Sequence, residues 1–205
     1  MSMPQPSTSP RHELVHPLFV RITHWVNAIA VFIMLTSGWQ IYNASPLFPF
    51  TFPPSLTLGG WLAGGLLWHF AAMWLFAANG LLYLLVGART AHFRRKFLPL
   101  RPRDVVRDLS AALTGRLSHA NLAVYNAVQK LCYVGVLVAG LIMVGSGLAL
   151  WKPVQLNELA ALFGGYEGAR LVHFFAMLSI VLFLVIHVLM ALIVPRSLRA
   201  MVLGR

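Results

Sequence analysis

The sequence predicts an all-α integral membrane protein: a four-helix bundle that crosses the bilayer, with an additional amphipathic helix on the cytoplasmic side. Three observations carry this expectation. The 205-residue chain is 59% hydrophobic and only 10% charged, whereas a soluble domain is nearer a quarter charged. Four apolar segments are each long enough to cross roughly 30 Å of hydrocarbon. Basic residues collect in alternate connecting segments, as they do on the cytoplasmic side of membrane proteins.

The elements follow in chain order. Residues 1–16 are rich in Pro and Ser and lack an apolar core of the signal-peptide kind, so they read as a disordered cytoplasmic tail. Residues 17–200 read as one transmembrane domain. The first span runs from about Phe19 to Tyr42. An uncharged loop rich in Pro and Phe follows, in which Leu47, Phe48, Phe50 and Phe52 suit either a docking surface or an interfacial anchor. The second span covers about Gly60 to Val86. In the long loop after it, Val105, Val106, Leu109, Ala112, Leu113 and Leu117 recur at helical spacing among Arg103, Asp104, Arg107 and Asp108, which predicts an interfacial amphipathic helix. The third span covers about Leu122 to Trp151. The fourth covers about Leu171 to Val194, where Pro195 ends it. Inside lipid these spans must be helical, because nothing else satisfies their backbone groups. No internal repeat is apparent on this reading.

The net charge is +11. Fourteen of the sixteen basic residues fall in the N-terminal flank, the loop between spans two and three, the start of span three, or the C-terminal tail. Only Lys152 and Arg170 lie on the other side, beside Glu158 and Glu167. Both termini are therefore expected in the cytoplasm, with the basic side against anionic lipid. Nucleic-acid binding is a poor reading, since no soluble module with interleaved aromatics is present. The single cysteine, Cys132, excludes a disulfide framework, a cysteine-ligated cluster and thioether-attached haem.

Eight histidines occur. His12, His16, His92 and His119 lie in tails, loops or at a helix edge. His24, His69, His173 and His187 lie inside spans, where an ionisable residue is costly and points to function. His173 and His187 are fourteen residues apart, which places them about 21 Å apart along one helix and within about 40° of the same face. His24 sits near the start of an outward-running helix, and His69 near the start of an inward-running one. The expected pairs are His24 with His187 on the cytoplasmic side and His69 with His173 on the outer side. Two imidazoles per depth fall short of the three or four protein ligands of a zinc site. They suit two haems b stacked across the bilayer, each with two axial histidines. Gly38, on the face of His24 but at the other depth, gives room for the outer haem, and Gly140 and Gly147 lie one heptad apart on the third span, which supplies no intramembrane His; ordinary small-residue helix packing explains these glycines equally well.

The segments HPLFVRITHW, WHFAAMWLFAANGLLYLLVG, YNAVQK and GLALWKP, together with the paired histidines of the last span, resemble the bacterial cytochrome b561 / nickel-hydrogenase cytochrome b family. The likeness covers about residues 14 to 200 and is nearest to thiosulfate-reductase-type cytochrome b subunits. It implies two haems b on the same four histidines and quinone chemistry near the cytoplasmic haem. In the related formate dehydrogenase subunits an Asn of a similar segment helps bind quinone, and Asn126 matches it here. Asn126, Gln129, Lys130 and Tyr133 share one helical face, and such side chains supply hydrogen-bond donors to a quinone carbonyl; a polar helix entrance snorkelling to headgroups is the plainer alternative. Arg21 and Lys130 suit haem propionates or, equally, the membrane surface.

The sequence carries no nucleotide motif and no soluble catalytic lobe. The expected role is an electron-transfer subunit in the bacterial inner membrane, linking the quinone pool to a periplasmic molybdenum- or nickel-containing oxidoreductase that performs the substrate chemistry. The alternatives are a stand-alone cytochrome b561 that exchanges electrons between quinone and a small species such as superoxide, and a redox-inactive membrane scaffold or transporter.

Overall fold

The computed structural model of the protein describes residues 16–90, 101–113 and 127–204. Seven α-helices occur among them: α1 (Leu18–Ala44), α2 (Leu62–Arg89), α3 (Pro102–Leu113), α4 (Ala127–Trp151), α5 (Asn157–Leu162), α6 (Gly165–Ile193) and α7 (Pro195–Leu203). A 3-10 turn at Pro54–Leu56 lies in the connection between α1 and α2. Helices α1, α2, α4 and α6 are long and apolar enough to span a membrane, so the expected four-helix, all-α architecture is observed. An even number of spans puts both ends of the described chain at one end of the bundle, here termed the terminal end. The opposite end, with the α1–α2 and α4–α6 connections, is the loop end.

The bundle is assembled from two tight pairs, α1 with α2 and α4 with α6. Their seams are lined by small residues. Ala30, Ser37, Ala72, Ser146, Ala149, Ala169 and Ala176 are buried. Large apolar side chains point outward, as with Phe32 at 66%, Leu67 at 71% and Leu192 at 67% exposure. This inversion of a soluble core follows from the solvent: lipid tails are as apolar as Leu, so close backbone approach and hydrogen bonds hold the helices instead. In the first pair, Asn79 Nδ2 donates to the Thr23 carbonyl at 2.8 Å and to Asn27 Oδ1 at 2.7 Å.

Three features depart from the expected layout. The last span begins at Gly165, about a turn and a half before Leu171, because Gly164 and Gly165 adopt φ of 83° and 78°. That left-handed turn, open to glycine without a Cβ penalty, folds the short helix α5 back onto α4 and α6. Pro195 does end the last span, yet it also starts α7. Val194 leaves the helical region at φ −119° and ψ 77°, and Pro195 takes the first-turn position, where its missing N–H costs nothing. The amphipathic helix α3 covers Pro102–Leu113, while residues 114–117 of the expected segment lie outside the described residues. It is docked rather than merely interfacial: Asp108 Oδ2 accepts the Ala127 backbone N–H at 2.8 Å, a carboxylate at the positive end of α4.

At the loop end, the α1–α2 connection folds down as a cap. Asn43 and Phe52 exchange side-chain to backbone hydrogen bonds, both at 2.8 Å. Thr57 Oγ1 donates to Gln40 Oε1 at 2.7 Å. Phe48, Phe50 and Phe52 pack around Tyr42, and Phe48 and Phe50 also reach Phe174 of α6. Most of this aromatic surface is spent on the bundle itself, which joins α1 to α6 across the gap between the pairs.

Candidate functional site

The four intramembrane histidines meet as two facing pairs between the helix pairs. At the terminal end, the rings of His24 on α1 and His187 on α6 have centroids 5.8 Å apart, with planes at 60°. At the loop end, the rings of His69 on α2 and His173 on α6 have centroids 6.4 Å apart at 65°. Both pairings are those expected from spacing and alternating helix direction. Each pair brings two imidazoles from different helices to face each other, and such a pair would hold a haem iron. No group of three His, Cys, Asp or Glu occurs among the described residues, so neither pair offers the donor set of a bare zinc site.

The walls of the loop-end pair also fit a bound macrocycle. A Cβ on Gly38 would lie 3.4 Å from His69 Cε1, and one on Gly147 would lie 3.3 Å from His173 Cε1. Both glycines let an imidazole lie flat against the facing helix. Next to Gly38, the indole of Trp39 stacks on Phe52 at 4.8 Å, and its Nε1 is buried with no partner among the described residues. A buried donor without an acceptor needs an explanation, and a propionate oxygen of a haem at this level is an acceptor of the required kind.

Behind each loop-end histidine stands a serine. Ser37 Oγ lies 3.2 Å from His69 Nδ1, which is also 3.1 Å from the Met34 carbonyl. Ser146 Oγ lies 2.9 Å from His173 Nδ1. These contacts expose a repeat that a search for long self-similarity misses. Ile33, Met34, Ser37 and Gly38 of α1 recur as Ile142, Met143, Ser146 and Gly147 of α4. His69, Phe70, Ala72 and Met73 of α2 recur as His173, Phe174, Ala176 and Met177 of α6. Each helix pair is one copy, and His69 and His173 are equivalent positions. The expectation of no internal repeat is therefore corrected. The repeat is short and gapped, and it includes Ser37 and Gly38 beside His69 and Ser146 and Gly147 beside His173. At the terminal end it breaks down: Tyr133 and Tyr83 stand where the repeat would place the counterparts of His24 and His187. There, His24 packs edge-on against Trp25 at 5.3 Å and His187 stacks on Phe183 at 5.6 Å.

The remaining expected residues fall as follows. Asn126 lies outside the described residues. Gln129 and Lys130 sit half-buried in the first turn of α4, with Tyr133 one turn further on. Tyr83 of α2 lies near enough to Tyr133 for the two phenols to interact electrostatically, which brings a second helix to that face. Arg21 reaches across to the C-terminal helix α7. Its Nε donates to the Met201 carbonyl at 3.3 Å, and its guanidinium also reaches the Val202 carbonyl. It thus caps the last turn of α7, where carbonyls lack intrahelical partners. Trp25 Nε1 adds a 3.4 Å contact to the same Met201 carbonyl.

Known proteins place this arrangement. A protein of Azospira oryzae named "Putative protein-methionine-sulfoxide reductase subunit YedZ1" is 51% identical over 190 residues, covering 93% of this chain and 96% of that protein. Residues 15–204 match the family described as prokaryotic cytochrome b561. The match spans all four membrane helices and all four facing histidines, and the chain belongs to the prokaryotic cytochrome b561 family.

Proposed function

We propose that the chain is a membrane dihaem cytochrome b subunit that carries electrons between the quinone pool and a periplasmic oxidoreductase, a molybdenum- or nickel-containing enzyme. The carrying observation is the meeting of four intramembrane histidines as two facing pairs at two depths, with α6 contributing one to each. When bound, haem b supplies one-electron transfer, which a bilayer and its apolar side chains cannot. His24 and His187 would hold the inner haem, and His69 and His173 the outer one. Gly38 and Gly147 keep the space beside the outer ligands clear. Both termini face the cytoplasm in the inner membrane, as the basic bias requires.

The likeness to a methionine-sulfoxide reductase subunit favours a direction. Reduction of a sulfoxide to a thioether and water consumes two electrons and two protons, the yield of oxidising one quinol. Electrons then run outward, from quinol at the terminal end to a reductase at the loop end. Asn126, Gln129 and Lys130 offer hydrogen bonds and a proton route to the quinone oxygens, and Tyr133 lies one turn beyond Gln129 and Lys130, with Tyr83 of α2 near it. Arg21 is reserved for the α7 cap, and a propionate claims it only by displacing those carbonyls.

Reduced-minus-oxidised spectra and haem quantification of the purified chain test the reading. Wild type holds two haems b; His69→Ala and His24→Ala each hold one. Retention of both haems in either variant refutes the pairing. In proteoliposomes, quinol should reduce the haems, and reoxidation should await the periplasmic reductase with a methionine-sulfoxide peptide. Fast turnover with superoxide and no partner would instead favour the stand-alone enzyme.

A further inference from the structure

We propose that Ser37 and Ser146 are a matched pair of positioning residues that fix the tautomer and the ring orientation of the outer histidines, and thereby lower the reduction potential of the outer haem alone. The inference rests on the two-haem reading and adds roles for residues outside the ligand set.

The argument starts from one proton. Each serine is fully buried. Ser37 Oγ donates to the Ile33 carbonyl at 2.6 Å and Ser146 Oγ to the Ile142 carbonyl at 2.7 Å, each one turn back in its own helix. A hydroxyl has one hydrogen. With it spent on the carbonyl, the oxygen meets the imidazole as an acceptor, so Nδ1 carries the hydrogen. At His69 the Met34 carbonyl, an acceptor only, demands the same tautomer at 3.1 Å. Nε2 of both rings is then unprotonated, with its lone pair free for iron. A histidine that donates its second N–H to oxygen is also a more basic ligand, which stabilises ferric over ferrous iron.

The inner pair is built differently. His24 and His187 are flanked by Trp25 and Phe183, and among the described residues no serine stands behind either ring. The repeat explains the contrast. Both copies supply the Ser–His contact at the outer level, and neither supplies it at the inner one. The two serines should therefore act alike on one haem and not on the other.

The experiment uses the full chain, purified with its haems, as Ser37→Ala, Ser146→Ala, the double variant, and Ser37→Thr and Ser146→Thr. Redox titration of the haem absorbance and low-temperature EPR of the ferric state are the readouts, with His69→Ala marking which component is the outer haem. The expected result is a higher midpoint potential of the outer component in each Ala variant, a larger rise in the double, a moved EPR signal for that haem, and an unmoved inner component. Thr, which keeps the hydroxyl, should restore wild-type values. Loss of the outer haem in the double variant, with both singles shifted, also supports the proposal. An outer potential that stays put, an equal shift of both haems, or haem loss without any shift in the singles overturns it. A wild-type chain that binds fewer than two haems sinks the underlying reading instead, and the two failures are told apart by haem content before any variant is made.

Discussion

Gly65→Ala, compared with Gly80→Ala in the same helix, isolates what close packing contributes to the outer site. Gly65 precedes His69 by one turn and faces α1. A Cβ there would lie 3.0 Å from Gln40 Cγ, 3.1 Å from Gln40 Cβ and 3.3 Å from the Ser37 carbonyl oxygen. Comfortable carbon contacts are about 3.5–4.0 Å, so the helices must part by roughly half an ångström or more. Gln40 cannot simply swing aside, because its Oε1 holds Thr57 at 2.7 Å. Overpacking of this kind costs about 1–3 kcal/mol. At Gly80 an added Cβ meets nothing within 4 Å. Replacing Gly by Ala favours the helix by about 1 kcal/mol at either position, so that contribution cancels in the comparison. Gly65→Ala should be about 1–3 kcal/mol less stable than Gly80→Ala. At about 2–4 °C per kcal/mol for a chain of this size, the gap is readable in thermal unfolding of detergent-purified protein followed by haem absorbance. The outer component should also broaden or be lost first, since the wedge opens between Ser37 and His69. Equal melting of the two variants, with an unperturbed outer haem, would show that α1 and α2 do not pack this closely.

Three further outcomes follow from the same geometry. Asn79→Leu removes the hydrogen bonds to Thr23 and Asn27; at about 0.6 kcal/mol on average for interhelical bonds in membranes, the loss is about 1–2 kcal/mol, and unfolding at unchanged stability would refute it. Arg21→Ala uncaps α7 at a cost of about 0.3–1 kcal/mol, so trypsin should cut after Arg199 faster than in wild type while both haems stay bound. Gln129→Leu, Lys130→Ala and Tyr83→Phe should raise the KM for quinol several-fold without changing haem content; quinol kinetics identical to wild type in all three would remove α4 from the quinone site.

Much of the architecture is legible without coordinates. Four apolar stretches dictate four helices because lipid tolerates little else. The histidine pairing is legible for the same reason: helix direction alternates at each crossing, and fourteen residues on α6 set two depths. The seams are less legible. Small residues occur throughout the spans, and periodicity alone does not tell Gly65, pressed on Gln40, from Gly80, which meets nothing. Asn27 and Asn79 are polar residues in different helices, and only the assembled pair makes them partners. The C-terminal helix α7 is hidden by Pro195, which breaks one helix and begins another with the same ring.

The sequence by itself determined the membrane class, the number of spans and which histidines face each other, because hydropathy, length and rise per residue are one-dimensional quantities. Tertiary structure alone decided what stands behind those histidines. The serine that sets the proton on His69 comes from α1 and that on His173 from α4. A hydrogen bond between helices depends on their rotation and separation, and neither is written in the spacing of residues along one chain.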